Sequence, residues 1–192
     1  ATDMDMTLLD KSPDPDKAVS SANLEADCQR LDELTDGRFF IVTGRDLDFV
    51  DREAFPNHKV KISAEYHSMI RFDLAAGEQD LVDRPKWDLI DDDLKSLLNI
   101  QSDWKLRIKP FMRSFHHHLS REDRELKQQL YERLKYLVDR LISETGQDLE
   151  LIDGGPIFDM KPYGTDKADA LNDILDYCRS SYICDKTLLP VY

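Results

Sequence analysis

Apolar residues recur at helical spacing from Ala22 to Leu34, and Gly37 follows where such a helix would stop. Phe39-Phe40-Ile41-Val42 is then a short unbroken apolar run, the pattern of a strand buried on both faces. A helix-like stretch follows Asp46, and Val60 to Ala64 reads as a further strand. Ahead of all these, the residues after Thr7 hold a Pro/Asp-rich loop, Ser12 to Asp16. Strand and helix alternating through short connections predict a parallel sheet with helices on both faces.

The pattern then changes. Residues 73–103 are polar and acidic, with Asp88 placed to cap a short helix, and Leu106 to His118 reads as one strand. Ser120 opens the longest helix, in which Leu126, Leu130, Leu134, Leu137 and Leu141 repeat every three or four residues. The strands on either side favour packing of this stripe on a small sheet over a coiled coil. That helix ends near Gly146. Leu149–Ile152 and Ile157–Met160 read as two strands around an Asp153-Gly154-Gly155-Pro156 turn. A helix from Ala168 to Tyr177 and a strand from Leu188 to Tyr192 return to the first pattern. The prediction is an α/β core formed by residues 1–82 and 163–192, with an α+β unit, residues 83–162, inserted into it.

Composition narrows the function. The chain has 192 residues, 41% hydrophobic and 34% charged, room for one or two domains with a sizeable core. No apolar run is long enough to cross a membrane. No signal peptide precedes the first motif, which begins almost at Ala1, and the expectation is a cytoplasmic protein. The net charge of −13 argues against a nucleic-acid partner, which would be bound by lysine and arginine. A phosphorylated small substrate would therefore need local positive charge or a metal ion. Cys28, Cys178 and Cys184 show no C-x-x-C spacing and read as reduced, incidental thiols.

Three short motifs carry candidate chemistry. Asp3 and Asp5, two apart at the end of a first strand, would face one phosphate and one cation together. One carboxylate can attack phosphorus while the other manages the leaving group's proton. Taken alone, the pair fits a solvated acidic loop better. Thr43-Gly44-Arg45 ends the apolar strand with a hydroxyl and a glycine, where Thr43 and backbone N–H groups could hold phosphate oxygens, or forms an ordinary strand-to-helix turn. Lys167 follows the Pro162-Tyr163-Gly164-Thr165 turn and opens a helix, where it offers a fixed positive charge or is simply solvated. His116-His117-His118 could ligate a metal, but no further ligands lie nearby. One recognition histidine with neighbours in solvent is the simpler expectation. Asp91-Asp92-Asp93 fits the negative charge of a helix's first turn.

In this order the motifs resemble those of the haloacid-dehalogenase phosphatases, and within them the trehalose-6-phosphate phosphatase family, over essentially the whole chain. Asp3-Met4-Asp5-Met6-Thr7-Leu8 followed by Pro13-Asp14-Pro15-Asp16 is similar to that family's opening, and Thr43-Gly44-Arg45 to its second motif. Ala64-Glu65-Tyr66-His67-Ser68 stands where the family has a His-Gly pair. Lys109 with His116 resembles a cap strand ending in His-Tyr-Arg. The run from Asp159 through Lys161-Pro162 and Gly164 to Lys167 is similar to Glu-x-Arg/Lys-Pro-x-Gly-x-x-Lys-Gly, the most specific of the set. Met6, Ser68 and Ala168 depart from it where the family usually has glycine, His118 where it has arginine, and Asp159 where it has glutamate.

The resemblance implies a haloacid-dehalogenase-like core with an α+β cap, acting as a monomer on trehalose 6-phosphate with Mg2+. It makes Asp3 the nucleophile and Asp5 the acid and base, both also holding the metal. Thr43, Gly44 and Lys167 would bind phosphate, and Arg45, His67, Lys109, His116, Asp159 and Lys161 the substrate. An acidic Gly-Asp-Asp motif would complete the metal site after a strand like Leu189-Pro190-Val191-Tyr192, so the whole protein is expected to continue past Tyr192. Two rivals are a phosphatase acting on another sugar phosphate, such as a mannosyl- or sucrose-phosphate, and a regulatory domain that keeps the fold without catalysis.

Overall fold

In the computed structural model, which describes residues 1–5, 7–9 and 22–181, the apolar run ahead of Thr43 supplies the second strand, in spatial order, of a five-stranded sheet. Its strands are Thr2–Asp3 (β1), Ile41–Val42 (β2), Ile62–Ala64 (β3), Met69–Arg71 (β4) and Gln79–Asp80 (β5), in that spatial order. β1, β2 and β3 are parallel, whereas β4 and β5 run antiparallel to their neighbours. The sheet is therefore mixed, not wholly parallel as its alternation suggests. The reason is chain length. A parallel return needs a crossover of about a dozen residues or more, and only Glu65–Ser68 separate β3 from β4.

Helices Ala22–Leu34 (α1), Leu47–Phe49 (α2) and Lys167–Ser181 (α5) belong to the same unit, and α2 runs on as a π-helical turn through Val50–Ala54. Asp46 caps α2, its carboxylate accepting the Phe49 N–H at 2.8 Å. Ala170, Ile174 and Cys178, one helical turn apart, bury their side chains of α5 against Phe40, Val42 and Phe72. Phe40 and Phe72 meet edge-to-face at 5.3 Å, an arrangement that adds to their burial. Arg71 is fully buried in this unit and is gripped by both carboxylate oxygens of Asp51 at 2.7 Å.

The chain divides into two compact units, one formed by Ala1–Val82 with the residues from Thr165 onward, the other by Asp83–Gly164. The second unit has strands Lys105–Ile108 (β6), Arg113–His116 (β7), Leu149–Asp153 (β8) and Ile157–Pro162 (β9) in the antiparallel order β6-β7-β9-β8. Helices Asp91–Leu97 (α3) and Arg124–Thr145 (α4) complete it. The leucine stripe of α4 packs on this sheet, joining Leu130, Leu134, Leu137 and Leu141 to Phe115, Phe158 and Met160. Ser120 makes a capping box with Asp123 just ahead of α4, and Gly146 ends it at φ +72, a left-handed position that glycine tolerates. Leu134 is completely buried in that cluster. Leu134→Ala should lower the stability of this unit by about 2–5 kcal/mol, read from its chemical-denaturation midpoint.

Two element expectations need correcting here. Leu106 to His118 is not one strand but a hairpin, broken at Lys109–Met112, where Pro110 cannot donate to a ladder and the Lys109 N–H reaches back to the Met112 carbonyl at 3.1 Å. Asp88 does not cap a helix; it lies inside a single 3-10 turn, Trp87–Leu89, and Ile90 precedes α3. Asp91, Asp92 and Asp93 do fill the first turn of α3. Expectations for Met6, the loop Ser12–Asp16, Cys184 and the strand Leu188–Tyr192 fall outside the described residues. No helix among the described residues is long and apolar enough to cross a membrane.

Candidate active site

Parallel pairing of Asp3 with Val42 brings the carboxyl ends of β1 and β2 level, where the next residues are Met4 and Thr43. Ligands of open α/β sheets bind outside such strand ends. Met4 is fully buried, and its carbonyl accepts both the Leu8 and Leu9 N–H groups at 2.9 Å, so the chain turns tightly around it. Asp3 and Asp5 flank this anchor and leave their side chains 45% and 46% exposed. Asp3 accepts the Met4 N–H through Oδ1 and the Lys167 ammonium through Oδ2, both at 2.7 Å. Lys167 is the first residue of α5, whose N-terminus Asp166 caps by accepting the Ala168 and Asp169 N–H groups. The nucleophile candidate and the phosphate-lysine candidate, 164 positions apart in sequence, are thus in contact.

Thr43 is fully buried, and its hydroxyl oxygen accepts the Arg45 N–H at 3.1 Å. Gly44 lies beneath the Tyr66 ring: a Cβ there would come within 3.0 Å of Tyr66 Cε2. Arg45 is buried and turned toward Asp5. Its Nη2 meets Asp5 Oδ1 at 2.5 Å, its Nε reaches both Asp5 oxygens at 3.1 and 3.2 Å, and its guanidinium stacks over Phe49 at 4.2 Å. A planar fork of this kind fixes a carboxylate's orientation.

His67 is likewise turned inward. Its Nδ1 lies 2.9 Å from Ser63 Oγ and its Nε2 3.1 Å from Asp173 Oδ2, linking β3 to α5. Ser68, expected at a glycine position, has φ −79 and needs none; the left-handed residues are Glu65, Tyr66 and His67, at φ +47, +54 and +72. Ala168 is plainly helical. Neither alanine at 168 nor serine at 68 therefore crowds a turn that demands glycine.

The remaining candidates belong to the second unit. Asp159 and Lys161 lie on β9 and His116 on β7, while Lys109 opens the turn between β6 and β7. Lys161 is buried, with its ammonium 2.5 Å from Glu150 on β8. Lys109 is also buried, Nζ 3.6 Å from Met112 Sδ. His117 does not point into solvent. It is fully buried, its Nδ1 accepts the Leu119 N–H at 3.0 Å, and its ring lies 4.7 Å from that of Phe158. The strand ends at His116, so alternation no longer governs the next side chain. His118, at φ +51, is the exposed member.

Burial, followed by the charges of Arg107, Lys109, His118 and Lys105, pushes the His116 imidazole down to about 4, so it is neutral at pH 7. The unfolded chain then binds more protons than the folded one between the ordinary value near 6.5 and about 4, and stability falls as pH drops through that window. Thermal midpoints measured from pH 7 to pH 4 should fall less steeply in His116→Gln than in the parent. The slope that remains includes the contribution of His117, which burial also lowers.

No family model matches the sequence, and no curated protein does. Solved structures do. The C-terminal domain of a Candida albicans trehalose-6-phosphate phosphatase superposes with a TM-score of 0.68 at 19% identity, over 89% of this chain and 59% of that one. A trehalose-6-phosphate phosphatase related protein gives 0.72 at 18%, over 90% and 71%. The C-terminal domain of the Candida albicans trehalose synthase regulatory protein gives 0.58 at 13%, over 88% and 60%. The chain has the haloacid-dehalogenase-like fold. It spans less than two thirds of the first of these structures.

Within the haloacid-dehalogenase-like fold, the carboxylates of Asp3 and Asp5 are hard oxygen donors of the kind Mg2+ takes. Among the described residues no group of three or more histidine, cysteine, aspartate or glutamate side chains is gathered to hold an ion. The donors fit one side of a Mg2+ site in kind and are too few to enclose it. Sequence reasoning missed Ser63 and Asp173, the partners of His67, and Tyr66 over Gly44. No local pattern marks them, because each acts through a contact made only on folding.

Proposed function

We propose that this chain forms the phosphoryl-transfer core and sugar-binding cap of a Mg2+-dependent trehalose-6-phosphate phosphatase. The observation that carries the reading is the contact of Lys167 with Asp3 at the carboxyl end of β1, beside Thr43 at the end of β2. Asp3 would attack phosphorus, breaking the bond to the sugar oxygen and forming an aspartyl phosphate. Asp5 would protonate the departing oxygen and then take the proton of the water that releases phosphate. The Arg45 fork holds Asp5 in one orientation for both tasks. Thr43, whose oxygen already accepts from Arg45, has its own proton left to donate to a phosphate oxygen. Lys167 offsets charge on the transferring group.

When bound, Mg2+ supplies further positive charge at the phosphoryl oxygens. Asp3 and the backbone carbonyl of Asp5 would hold it, with ligands from outside the described residues. Lys109, His116, Asp159 and Lys161 would grip sugar hydroxyls in the second unit. His67, whose ring nitrogens are both engaged, serves instead to tie β3 to α5.

The test is phosphate release by the complete protein from trehalose 6-phosphate, other sugar phosphates and an aryl phosphate, with Mg2+ and with chelator. Mg2+-dependent release favouring trehalose 6-phosphate is expected, and equal rates on every sugar would overturn the substrate. A second reading, a regulatory domain without catalysis, draws support from Asp5, both of whose oxygens are taken by Arg45. Absence of release from all substrates by the complete protein would support that one instead.

A further inference from the structure

The turn from β3 into β4 places Glu65, Tyr66 and His67 in the left-handed region that side chains disfavour. Such conformations persist where surrounding contacts over-determine them, and here a contact of each residue leads toward the candidate site. The Glu65 N–H donates to the Arg45 carbonyl at 3.1 Å, and the Tyr66 N–H donates to the Thr43 carbonyl at 3.2 Å. Consecutive amides of the turn therefore hold the carbonyls on either side of Gly44, and the Tyr66 ring covers Gly44 itself.

That grip sets a direction. Across a trans peptide the C=O of one residue and the N–H of the next point opposite ways, and the Thr43–Gly44 peptide is trans. The turn follows β3, on one side of β2, while β1 lies on the other. With the Thr43 carbonyl drawn to the β3 side, the Gly44 N–H is directed to the β1 side, where Asp3 ends its strand. His67, the last left-handed residue, reaches the other candidate phosphate donor. Its Nε2 meets Asp173 at 3.1 Å, further along the helix that opens with Lys167, whose ammonium touches Asp3.

We infer that the turn Glu65–His67 is the positioning element of the phosphate site. Tyr66 sets the Gly44 amide, and His67, through Asp173, sets the Lys167 ammonium, so that both donors converge on the end of β1. The inference rests on the phosphatase reading above and extends it to residues outside the reacting set. A carboxylate only accepts, so His67 Nε2 carries the proton, and in the neutral ring Nδ1 accepts from the Ser63 hydroxyl. Aim matters most where charge is greatest, on the transferring phosphoryl, so its loss falls on kcat more than on KM.

The complete protein is compared with Asp173→Ala, Asp173→Asn, Tyr66→Ala and Tyr66→Phe. Turnover of an aryl phosphate at saturating Mg2+, calorimetric titration with inorganic phosphate and the thermal midpoint are read for each. Asp173 is half-exposed and Tyr66 half-buried, so the fold should survive every change. Both alanine variants should lose about ten- to hundredfold in kcat, the order expected when a catalytic group is misplaced. Phosphate affinity and KM should weaken by about three- to tenfold, less than kcat. Asp173→Asn, whose amide oxygen still accepts from Nε2, and Tyr66→Phe, which keeps the ring over Gly44, should stay close to the parent. Alanine variants that keep the parent's kcat and phosphate affinity overturn the inference. So does a lowered midpoint with kcat per folded molecule unchanged, the mark of a purely structural tie. Asn and Phe variants as damaged as the alanines overturn it too, since the charge or hydroxyl would then act directly. A complete protein that binds phosphate but releases none from esters sinks the phosphatase reading alone, and the phosphate affinities then decide the role of the turn. One that does not bind phosphate overturns both.

Discussion

In the complete protein, Asp3→Asn is expected to abolish Mg2+-dependent phosphate release from sugar and aryl phosphates alike, by roughly 10⁴–10⁶ in kcat, while the fold survives. An amide cannot attack phosphorus, and it is a poorer ligand for a hard cation than a carboxylate. The fold should survive because Asp3 is about half exposed, β1 is held by backbone pairing with β2 and by the buried Met4, and the Asn amide oxygen can still accept the Met4 N–H. The one internal loss is the Lys167 contact, an exposed pair of the kind that contributes about 0–1 kcal/mol. A fluorescence or circular-dichroism unfolding curve close to that of the parent, together with lost turnover, is the expected pair of results. Near-normal turnover by this variant would eliminate the aspartyl-phosphate mechanism.

The arrangement around Asp5 bears on whether the site turns over at all. Arg45 engages both of its oxygens and is itself held by the Phe49 ring, so the carboxylate has a fixed orientation. An acid that must give up a proton and then recover one benefits from a fixed orientation. The same fork in a protein with no substrate to process would merely tie α2 to the loop after β1. Geometry alone serves both; the Asp3→Asn comparison separates them, because only the catalytic reading gives the parent a rate to lose.

The motifs legible in the sequence were those whose geometry is local or fixed by strand topology. Asp3 and Asp5 straddle one buried residue, Thr43 ends an apolar strand, and Lys167 opens a helix; parallel pairing of β1 with β2 then makes the strand ends coincide. The departures have equally specific causes. β5 is two exposed residues, Gln79 and Asp80, which carry no apolar signature and exist only because β4 offers an edge. The hairpin at Lys109–Met112 was hidden because Phe111 and Met112 are buried and prolong the apolar run through the turn, leaving Pro110 as the one local signal. Arg45 and His67 stand in motifs that suggest ligand contact, yet each is satisfied by a residue far away in sequence, Asp5 and Asp173. Three consecutive left-handed residues at Glu65–His67 have no glycine to announce them; the tight return from β3 to β4 imposes that conformation, and the bonds of His67 help retain it.

Lys167→Ala should damage hydrolysis of trehalose 6-phosphate and of a small aryl phosphate to the same extent, by about 10²–10³ in kcat, because its partner would be the phosphate that both share. Its position supports a common loss: the ammonium touches the Asp3 carboxylate, the proposed nucleophile, and belongs to the first unit. Lys109→Ala and Asp159→Ala should behave differently. Both residues lie in the second unit, and each would lose one charge-assisted hydrogen bond to the sugar, roughly 1.5–3 kcal/mol, or about ten- to hundredfold in kcat/KM for trehalose 6-phosphate. The aryl phosphate, which has no sugar hydroxyls to grip, should be hydrolysed nearly as well as by the parent. Lys161 is the less informative choice, since removing it would strand Glu150 and destabilise the sheet by breaking a buried pair. The measurement is a comparison of three variants on two substrates at saturating Mg2+. Equal damage to both substrates by Lys109→Ala or Asp159→Ala would make those residues structural or catalytic and remove the sugar-binding assignment. No damage to either substrate would leave the phosphatase intact but turn attention to another sugar, with His118 in place of an arginine as the first residue to examine.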